Sequence, residues 1–188
     1  FDRALPGLTK TMDVTVFGSD GIDYFNLNVN RADDYSGNWT LNMGAGDDSF
    51  GAAKLKNGDS IDMGAGDDTV SIMSYGTGGT PTLDNLDLVK LDGGTGSDTL
   101  DFQSVSSSSH TELSLTTGGA TNFENITGSL QSETIKGDAN NNILTGGREG
   151  EDTLYGYGGD DVLVGNGTSV DMLTETNSEY APFGDGTQ

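Results

Sequence analysis

Apolar and acidic residues recur along this chain in a nine-residue frame. An apolar residue is followed seven positions later by an acid, and a second apolar residue stands two positions after the acid. The frame is clearest in segments 41–50, 61–70 and 91–100, each of which carries glycines ahead of the acid. With fewer glycines, and with Asn in place of the acid once, it recurs in six further sets: Val16, Asp23 and Phe25; Ile126, Glu133 and Ile135; Ile135, Asn142 and Leu144; Leu144, Asp152 and Leu154; Leu154, Asp161 and Leu163; and Leu163, Asp171 and Leu173. The fourth and sixth sets contain one inserted residue.

A repeat of nine residues has room for one tight turn and one short strand, but not for a pair of helices. Glycine suits a turn with positive φ and lets neighbouring turns stack at the spacing of β-strands. The apolar residue after the acid then points inward while its neighbours point outward. Two repeats form a coil of about 18 residues. The frame therefore predicts an all-β solenoid, a parallel β-roll or β-helix with two parallel sheets facing each other across a thin core.

The acids of the first hundred residues are spaced irregularly. They stand at positions 23, 48, 68 and 98, so the intervals are 25, 20 and 30 residues, whereas a regular roll needs about 18. Asp59 supplies a turn on the opposite side of the coil. Segments 26–38 and 73–85 are long returns, meaning connections that complete a coil without showing the nine-residue frame. We therefore expect irregular, longer coils in the N-terminal half, with most candidate metal turns on one face.

The pattern divides the chain into four parts. Residues 1–102 form an irregular segment of the solenoid, and residues 123–173 form a regular β-roll in which the frame runs almost without interruption. A Ser/Thr-rich stretch, 103–122, separates them, and residues 174–188 are expected to be a tail or linker. The pattern leaves open whether the two repeat segments share one core.

The composition makes the chain strongly acidic. Lys and Arg total 8 against 30 Asp and Glu, a formal net charge of −22, and 23 of the acids are Asp. The few cations are scattered, which argues against nucleic acids and acidic membranes as partners. No apolar run approaches the ~20 residues of a membrane-spanning helix. The 30 Gly argue against helical bundles, because each Gly costs about 1 kcal/mol in a helix relative to Ala.

Acids in this frame need a cation. Stacked coils place the acids of successive turns about 4.8 Å apart, where two bare carboxylates repel by roughly 3.5 kcal/mol at an effective dielectric near 20. The chain has no Cys, so disulfides and thiolate metal sites are excluded. Oxygen ligands remain, and several Ca²⁺ ions are the cofactor that the sequence predicts.

The glycine-rich segments resemble the nonapeptide of the RTX (repeats-in-toxin) family, G-G-x-G-x-D-x-U-x, in which U is a large apolar residue. Residues 93–101 match it at every defined position, and residues 43–51 and 63–71 depart only at the first, where Met replaces Gly. Residues 147–155 and 156–164 are close variants. The resemblance implies a parallel β-roll that binds calcium between its turns through loop carbonyl groups and the sixth-position acid. It also implies a fragment of a larger secreted or cell-surface bacterial protein that leaves the cell by type I secretion.

The frame and the resemblance together assign the candidate metal ligands. The acids of the best-preserved turns are expected to be ligands: Asp48, Asp68, Asp98, Asp152 and Asp161. Turn glycines are expected to contribute to the same sites: Gly44, Gly46, Gly64, Gly66, Gly94, Gly96 and Gly159. Asp23, Asp59 and Asp171 stand in degraded turns, where a metal ligand and a solvated turn acid remain equal alternatives. Glu133 and Asn142 suit a partial site or a plain turn. The fifth-position acids are expected to face solvent: Asp47, Asp67 and Asp160.

Neither catalysis nor a specific ligand is favoured by the sequence. It contains no G-x-S-x-G and no H-E-x-x-H motif, and His110, its single His, follows a run of four serines. We therefore do not expect an enzyme. Glycosidase chemistry remains an alternative only because it uses two carboxylates, and the chain contains many pairs of acids. Sugar binding needs aromatic residues on one face, and the following do not share a register: Tyr24, Tyr35, Trp39, Tyr75 and Tyr180.

The charge, the frame and the resemblance predict a calcium-dependent structural module. The chain is expected to fold outside the cell after type I secretion, because calcium that binds only the folded state stabilises that state. The expected setting is the extracellular space or the bacterial cell surface, as scaffold of a surface-layer or adhesin protein, with self-association or a cell-surface glycan as possible partners. The alternatives are a C-terminal secretion or stability domain of an extracellular hydrolase or epimerase, and a carbohydrate-binding adhesin module.

Overall fold

The structure of the chain, a computed structural model, describes residues 13–27, 37–52, 58–72, 91–105, 112–165 and 171–175. These ranges contain fifteen short β-strands and one 3₁₀ helix, Thr117–Gly119, and no helix in them is long and apolar enough to cross a membrane. The strands are β1 Val14–Phe17, β2 Tyr24–Leu27, β3 Trp39–Asn42, β4 Ser49–Ala52, β5 Ser60–Asp62, β6 Thr69–Ile72, β7 Leu91–Asp92, β8 Thr99–Asp101, β9 Glu112–Ser114, β10 Asn125–Thr127, β11 Thr134–Lys136, β12 Ile143–Thr145, β13 Thr153–Tyr157, β14 Val162–Val164 and β15 Met172–Glu175.

The strands form three parallel sheets, in which each strand pairs with strands one coil away. The first sheet has the order β1-β3-β5-β7, the second β14-β12-β10-β8-β6-β4-β2, and the third β15-β13-β11-β9. The chain alternates between the first and second sheets as far as β8, and from β9 onward it alternates between the third and the second. The predicted all-β parallel solenoid is confirmed, with the difference that the N-terminal and C-terminal coils use different partner sheets.

The second sheet carries the hydrophobic core through both repeat segments. Its inward row is in register from strand to strand: Phe25, Phe50, Val70, Leu100, Ile126, Leu144 and Leu163. Each of these stands two positions after the last residue of a turn, as the frame predicts. Because β8 pairs directly with β10, with Leu100 beside Ile126, the irregular and regular segments share one sheet and one core cluster.

The Ser/Thr-rich stretch 103–122 contributes to the solenoid wherever it is described. It contains β9, which pairs with β11 in the third sheet, and Thr121, which forms an isolated bridge with Asp92 at the end of the first sheet. Val105 and Leu113 are buried. Segments 28–36, 73–90, 106–111 and 176–188, which hold His110, most of the long returns and most of the expected tail, lie outside the described residues. The division of the chain into domains stays a prediction.

Candidate metal centre

Four turns stack along one edge of the second sheet. They connect β1 to β2, β3 to β4, β5 to β6 and β7 to β8. Backbone hydrogen bonds join successive turns: the amide of Ala65 donates to Gly44 O at 3.0 Å, and the amide of Thr95 donates to Gly64 O at 2.8 Å. Gly64 has a φ of +100°, and a Cβ on it would lie 2.0 Å from Gly44 O. Glycine at this position is therefore what lets the turns approach to strand spacing.

The sixth-position acids form a ladder of hydrogen bonds between these turns. The amide of Asp48 donates to Asp68 Oδ1 at 2.7 Å, and the amide of Asp68 donates to Asp98 Oδ1 at 2.8 Å. The same bond recurs in the C-terminal half, where the amide of Asp152 donates to Asp171 Oδ1 at 2.9 Å. One oxygen of each accepting acid therefore fixes the turn of the preceding coil. In Asp68 and Asp98 the other oxygen, Oδ2, has no hydrogen-bond partner among the described residues.

The solenoid arranges the predicted ligands in two columns. One column follows the edge at which the chain enters the second sheet: Asp23, Asp48, Asp68, Asp98, Asn142 and Asp161. The other follows the edge at which the C-terminal coils leave it: Glu133, Asp152 and Asp171. Asp59 stands apart from both, just before β5, and its Oδ1 accepts a hydrogen bond from the amide of Trp39 at 2.8 Å.

Glu124 completes the first column, although sequence reasoning did not mark it. Its Oε2 accepts from the amide of Asp98 at 2.9 Å, and its carbonyl oxygen accepts from Asn142 Nδ2 at 2.9 Å. The signal that could have identified it is an acid two positions before the inward-facing Ile126. No apolar residue stands seven positions ahead of Glu124, because Thr117 occupies that position, and the frame was therefore incomplete there.

Five carboxylate oxygens in these turns are buried and have no hydrogen-bond partner among the residues that the structure describes. They are the Oδ2 atoms of Asp48, Asp68, Asp98, Asp152 and Asp161. The whole residue is 1% exposed or less in the first four cases. A buried carboxylate oxygen without a partner loses its hydration with no compensation, which is strongly unfavourable. These are the five acids of the best-preserved turns, and a hard cation that prefers oxygen ligands fits them.

In two other turns a serine supplies the missing partner. Ser19 donates to Asp23 Oδ2 from its amide at 2.6 Å and from its hydroxyl at 2.9 Å. Ser129 likewise donates to the carboxylate of Glu133 from both its amide and its hydroxyl. Both serines stand at the second position of their turns. The carboxylates of Asp23 and Glu133 therefore already have partners where the orphaned acids have none.

The residue at the second position of the turn differs between the turns whose sixth-position side chain has a partner within the turn and the turns whose acid has an orphaned oxygen. Asp138 occupies the second position in a third turn of the first kind, where its backbone amide donates to Asn142 Oδ1 at 2.8 Å. In the turns with an orphaned oxygen the second position holds Gly44, Gly64, Gly94 or Tyr157. The turn of Asp152 contains one inserted residue, and there Gly147, with a φ of +99°, takes the corresponding place. Glycine has no side chain that could donate to the sixth-position acid, and at Tyr157 no hydrogen bond reaches Asp161 Oδ2 from the described residues. This rule is readable in the sequence but was not recognised there.

Burial changes the acidity of these side chains. Loss of hydration raises the pKa of Asp98 to about 7 and that of Asp152 to about 6, and nearby carboxylates act in the same direction. Burial also raises the pKa of Glu133 to about 7, against the effect of its hydrogen bonds. The pKa of Asp23 is instead lowered, because Ser19 hydrogen-bonds its carboxylate. Ionising the buried acids near neutral pH is therefore unfavourable unless a cation compensates.

Backbone carbonyl groups are the other oxygen donors at the turns. Within the described ranges, no three His, Cys, Asp or Glu side chains converge on a point that could hold a metal ion. A cation here would need carboxylates together with carbonyl groups, a ligand set that Ca²⁺ accepts. Gly44 O and Gly64 O each accept one hydrogen bond from the next coil and retain a second lone pair. The metal-binding roles expected of Gly46, Gly66, Gly94, Gly96 and Gly159 stay predictions.

The fifth-position acids face solvent, as the frame predicts. Asp47, Asp67 and Asp160 are all exposed. Asp47 and Asp67 form a second ladder that sequence reasoning missed, since the amide of Asp67 donates to Asp47 Oδ1 at 3.0 Å and the amide of Ser97 donates to Asp67 Oδ1 at 2.9 Å. Water can donate hydrogen bonds to the exposed oxygens of this ladder, whereas it cannot do so to the buried oxygens of the sixth-position ladder.

Comparison with known proteins adds no family assignment. No protein-family model matches the chain, and no curated protein matches it at a significant level. The candidate metal centre therefore depends on the stacked turns, the two ladders and the orphaned oxygens.

Proposed function

We propose that this chain is a calcium-binding structural module in which Ca²⁺ bound at the turns stabilises the solenoid. The observation that carries the proposal is the set of five buried Oδ2 atoms without a partner in the described residues. The side chains that would hold the ions are Asp48, Asp68, Asp98, Asp152 and Asp161. Asp23, Glu133 and Asn142 are excluded from this set, because second-position residues already satisfy them.

The chain's own residues prepare such sites before any ion binds. The sixth-position ladder fixes each carboxylate through one oxygen and leaves the other buried beside a glycine-rich turn. Bound Ca²⁺ would supply positive charge to these oxygens and reduce the repulsion within a chain of net charge −22. Calcium is favoured over zinc because the chain lacks Cys and has one His. It is favoured over magnesium because Mg²⁺ requires near-ideal octahedral geometry.

The proposed setting is the extracellular space or the bacterial cell surface, where calcium is abundant. The resemblance to RTX nonapeptides supports this setting and also supports type I secretion of a larger protein that contains the chain. Within that protein we propose a scaffold role in a surface layer or adhesin. The alternative is a C-terminal secretion or stability domain of an extracellular hydrolase or epimerase, whose catalytic residues would lie elsewhere.

Far-UV circular dichroism of the chelator-treated chain, titrated with calcium and then with magnesium, tests the proposal. We expect a transition from a disordered to a β spectrum at roughly millimolar calcium or below, and no transition with magnesium at the same concentrations. A spectrum that does not respond to calcium would contradict the proposal and leave the acids with another role.

A matched pair of variants tests the assignment of ligands. Asp68→Asn keeps one oxygen to accept the amide of Asp48 but removes the charge of the orphaned oxygen. Asp67→Asn makes the same change one residue away, at an exposed side chain that keeps its bond to Ser97. The calcium concentration at the midpoint should rise roughly tenfold in the first variant and change little in the second. Equal effects of the two substitutions would show that only net charge matters.

A further inference from the structure

Two tyrosine rings stack on each other at the outer face of the third sheet. The ring centroids of Tyr155 and Tyr157 are 5.9 Å apart, and the two ring planes are inclined by 16°. Leu154 next to them is fully buried, which places Tyr155 on the opposite, solvent-facing side of the strand. Tyr157 is 39% exposed. The pair therefore presents aromatic surface to solvent instead of filling the core.

The backbone at Tyr157 is unfavourable for a bulky side chain. Its φ is +72°, at the second turn position where Gly64 has +100° and Gly147 has +99°. The strand bulges between Tyr155 and Tyr157, so that Tyr157 pairs with Glu175 after a shift of register. Folding alone favours glycine here, because L side chains rarely adopt positive φ. A strained residue that the fold does not require is a reason to look for a function at that position.

Polar groups flank the two rings. Lys136 lies on the adjacent strand in register with Tyr155, and its Nζ forms an ion pair with Glu112 Oε2 at 2.7 Å. The pKa of Lys136 is raised, first by that hydrogen bond and also by Tyr157 and Tyr155. An ammonium and a carboxylate therefore lie on the next two strands of the sheet after the one that carries Tyr155.

We propose that this tyrosine platform, defined as Tyr155, Tyr157, Lys136 and Glu112, binds a neutral hexopyranose unit of a glycan chain. The apolar C–H face of a pyranose ring packs on an aromatic ring, and its hydroxyl groups pair with charged or phenolic groups at the rim. Polyanionic glycans are disfavoured by the net charge of −22. A cationic ligand is disfavoured because Lys136 stands in register with Tyr155 on the adjacent strand and already holds the Glu112 carboxylate in an ion pair. The proposal is independent of the calcium sites, although the solenoid that carries the platform must be folded.

Affinity electrophoresis of the calcium-loaded full chain tests this binding. The probes are native gels that contain hydroxyethyl cellulose, galactomannan or dextran as neutral polysaccharides, and alginate as an acidic one. Migration should be retarded in at least one neutral gel and not in alginate. Normal migration in every neutral gel, or retardation by alginate alone, overturns the proposal.

Three variants separate binding from folding. Tyr157→Gly removes one ring and relieves the positive φ, so it should weaken binding roughly tenfold while the melting temperature stays equal or rises. Tyr155→Leu removes the other ring and keeps apolar cover, and it should weaken binding by a similar factor. Tyr24→Ala is the control, because Tyr24 is 80% exposed on β2, far from the platform in the strand order. Undiminished binding by the first two variants, or an equal loss in the control, assigns the tyrosines to structure alone.

Discussion

Ser19 and Ser129 occupy the second position of their turns and donate hydrogen bonds to the acid at the sixth position. Where glycine occupies the second position, as at Gly44 and Gly64, the sixth-position acid keeps a buried oxygen without a partner in the described residues. One side chain therefore decides whether a turn is satisfied by the chain itself or is prepared for a cation. The physical basis is that burial of a carboxylate oxygen must be compensated by some donor or positive charge.

Ser129→Ala tests this dependence at a turn that we exclude from the calcium sites. The substitution removes the hydroxyl that donates to Glu133, which is 3% exposed. The free energy of unfolding at saturating calcium should fall by about 1–3 kcal/mol, because the buried carboxyl group of Glu133 loses a hydrogen-bond partner. Urea unfolding measures the change, and Ser104→Ala at an exposed turn residue is the control. A loss as small as that of the control would contradict the role given to Ser129.

At the scale of the elements, the turn and the strand that follows it form the repeating unit. The turn places one side chain at the ladder and, two residues later, one at the core, as Asp68 and Val70 do. Glycine at the second position lets the carbonyl of one turn accept the amide of the next. In these N-terminal coils, strand pairing and turn stacking therefore occur at the same spacing.

Gly64→Ala should disrupt this coupling. Alanine would have to adopt a φ of +100° with its Cβ 2.0 Å from Gly44 O, so the turn must shift and the ladder between Asp48 and Asp68 must lengthen. We expect a loss of more than about 2 kcal/mol in the free energy of unfolding, measured by thermal or urea unfolding with calcium present.

Gly21→Ala is the matched control for this substitution. A Cβ on Gly21 would find its nearest neighbour, Ser19 Oγ, at 3.8 Å, and the residue has no positive φ. Its stability should match that of the unaltered chain. If both variants were equally stable, close approach of the turns would not depend on glycine.

At the scale of the whole molecule, a continuous core is combined with a large excess of negative charge. The inward row of the second sheet runs from Phe25 to Leu163 across both repeat segments, which favours cooperative folding of the coils. The net charge of −22 opposes compaction. The buried acids have raised pKa values, so protons and cations are alternative means of relieving the same unfavourable charge.

The calcium-free chain should therefore be more folded in mild acid than at alkaline pH. A group whose pKa is higher in the folded state than its ordinary value binds protons on folding, so its stabilising effect is complete below the ordinary value and is lost as pH rises through the folded one. For Asp98 and Asp152 that loss extends from about pH 4 to about pH 7. Circular dichroism after calcium removal on a chelating resin should show more β structure at pH 5 than at pH 8.

Calcium should reverse this dependence on pH. Protons compete with Ca²⁺ for the same oxygens, so the calcium concentration at the folding midpoint should rise as the pH falls. A β signal that is independent of pH without calcium, or stronger at pH 8, would contradict the raised pKa values of the buried acids.

Sequence reasoning predicted the solenoid and the row of inward-facing residues because both follow from local rules. A period of nine residues with glycine before the acid and an apolar residue after it leaves few alternatives to a turn followed by a short strand. The five orphaned acids belong to the turns that best preserved this frame. Glu124 and the pairing of β9 with β11 were missed, because the sequence around them does not show the complete frame.

The sequence by itself determined the period, the all-β class and the identity of the acids that line the turns, since these depend on neighbours within about nine residues. The tertiary structure decided which oxygen of each acid is used by the adjacent coil, that β8 and β10 join the two segments, and that Tyr155 and Tyr157 share an exposed face. Each of these depends on residues about 20 or more positions apart or on a bulge in a strand. Such contacts are set by the stacking register of whole coils, which nine residues of local sequence do not encode.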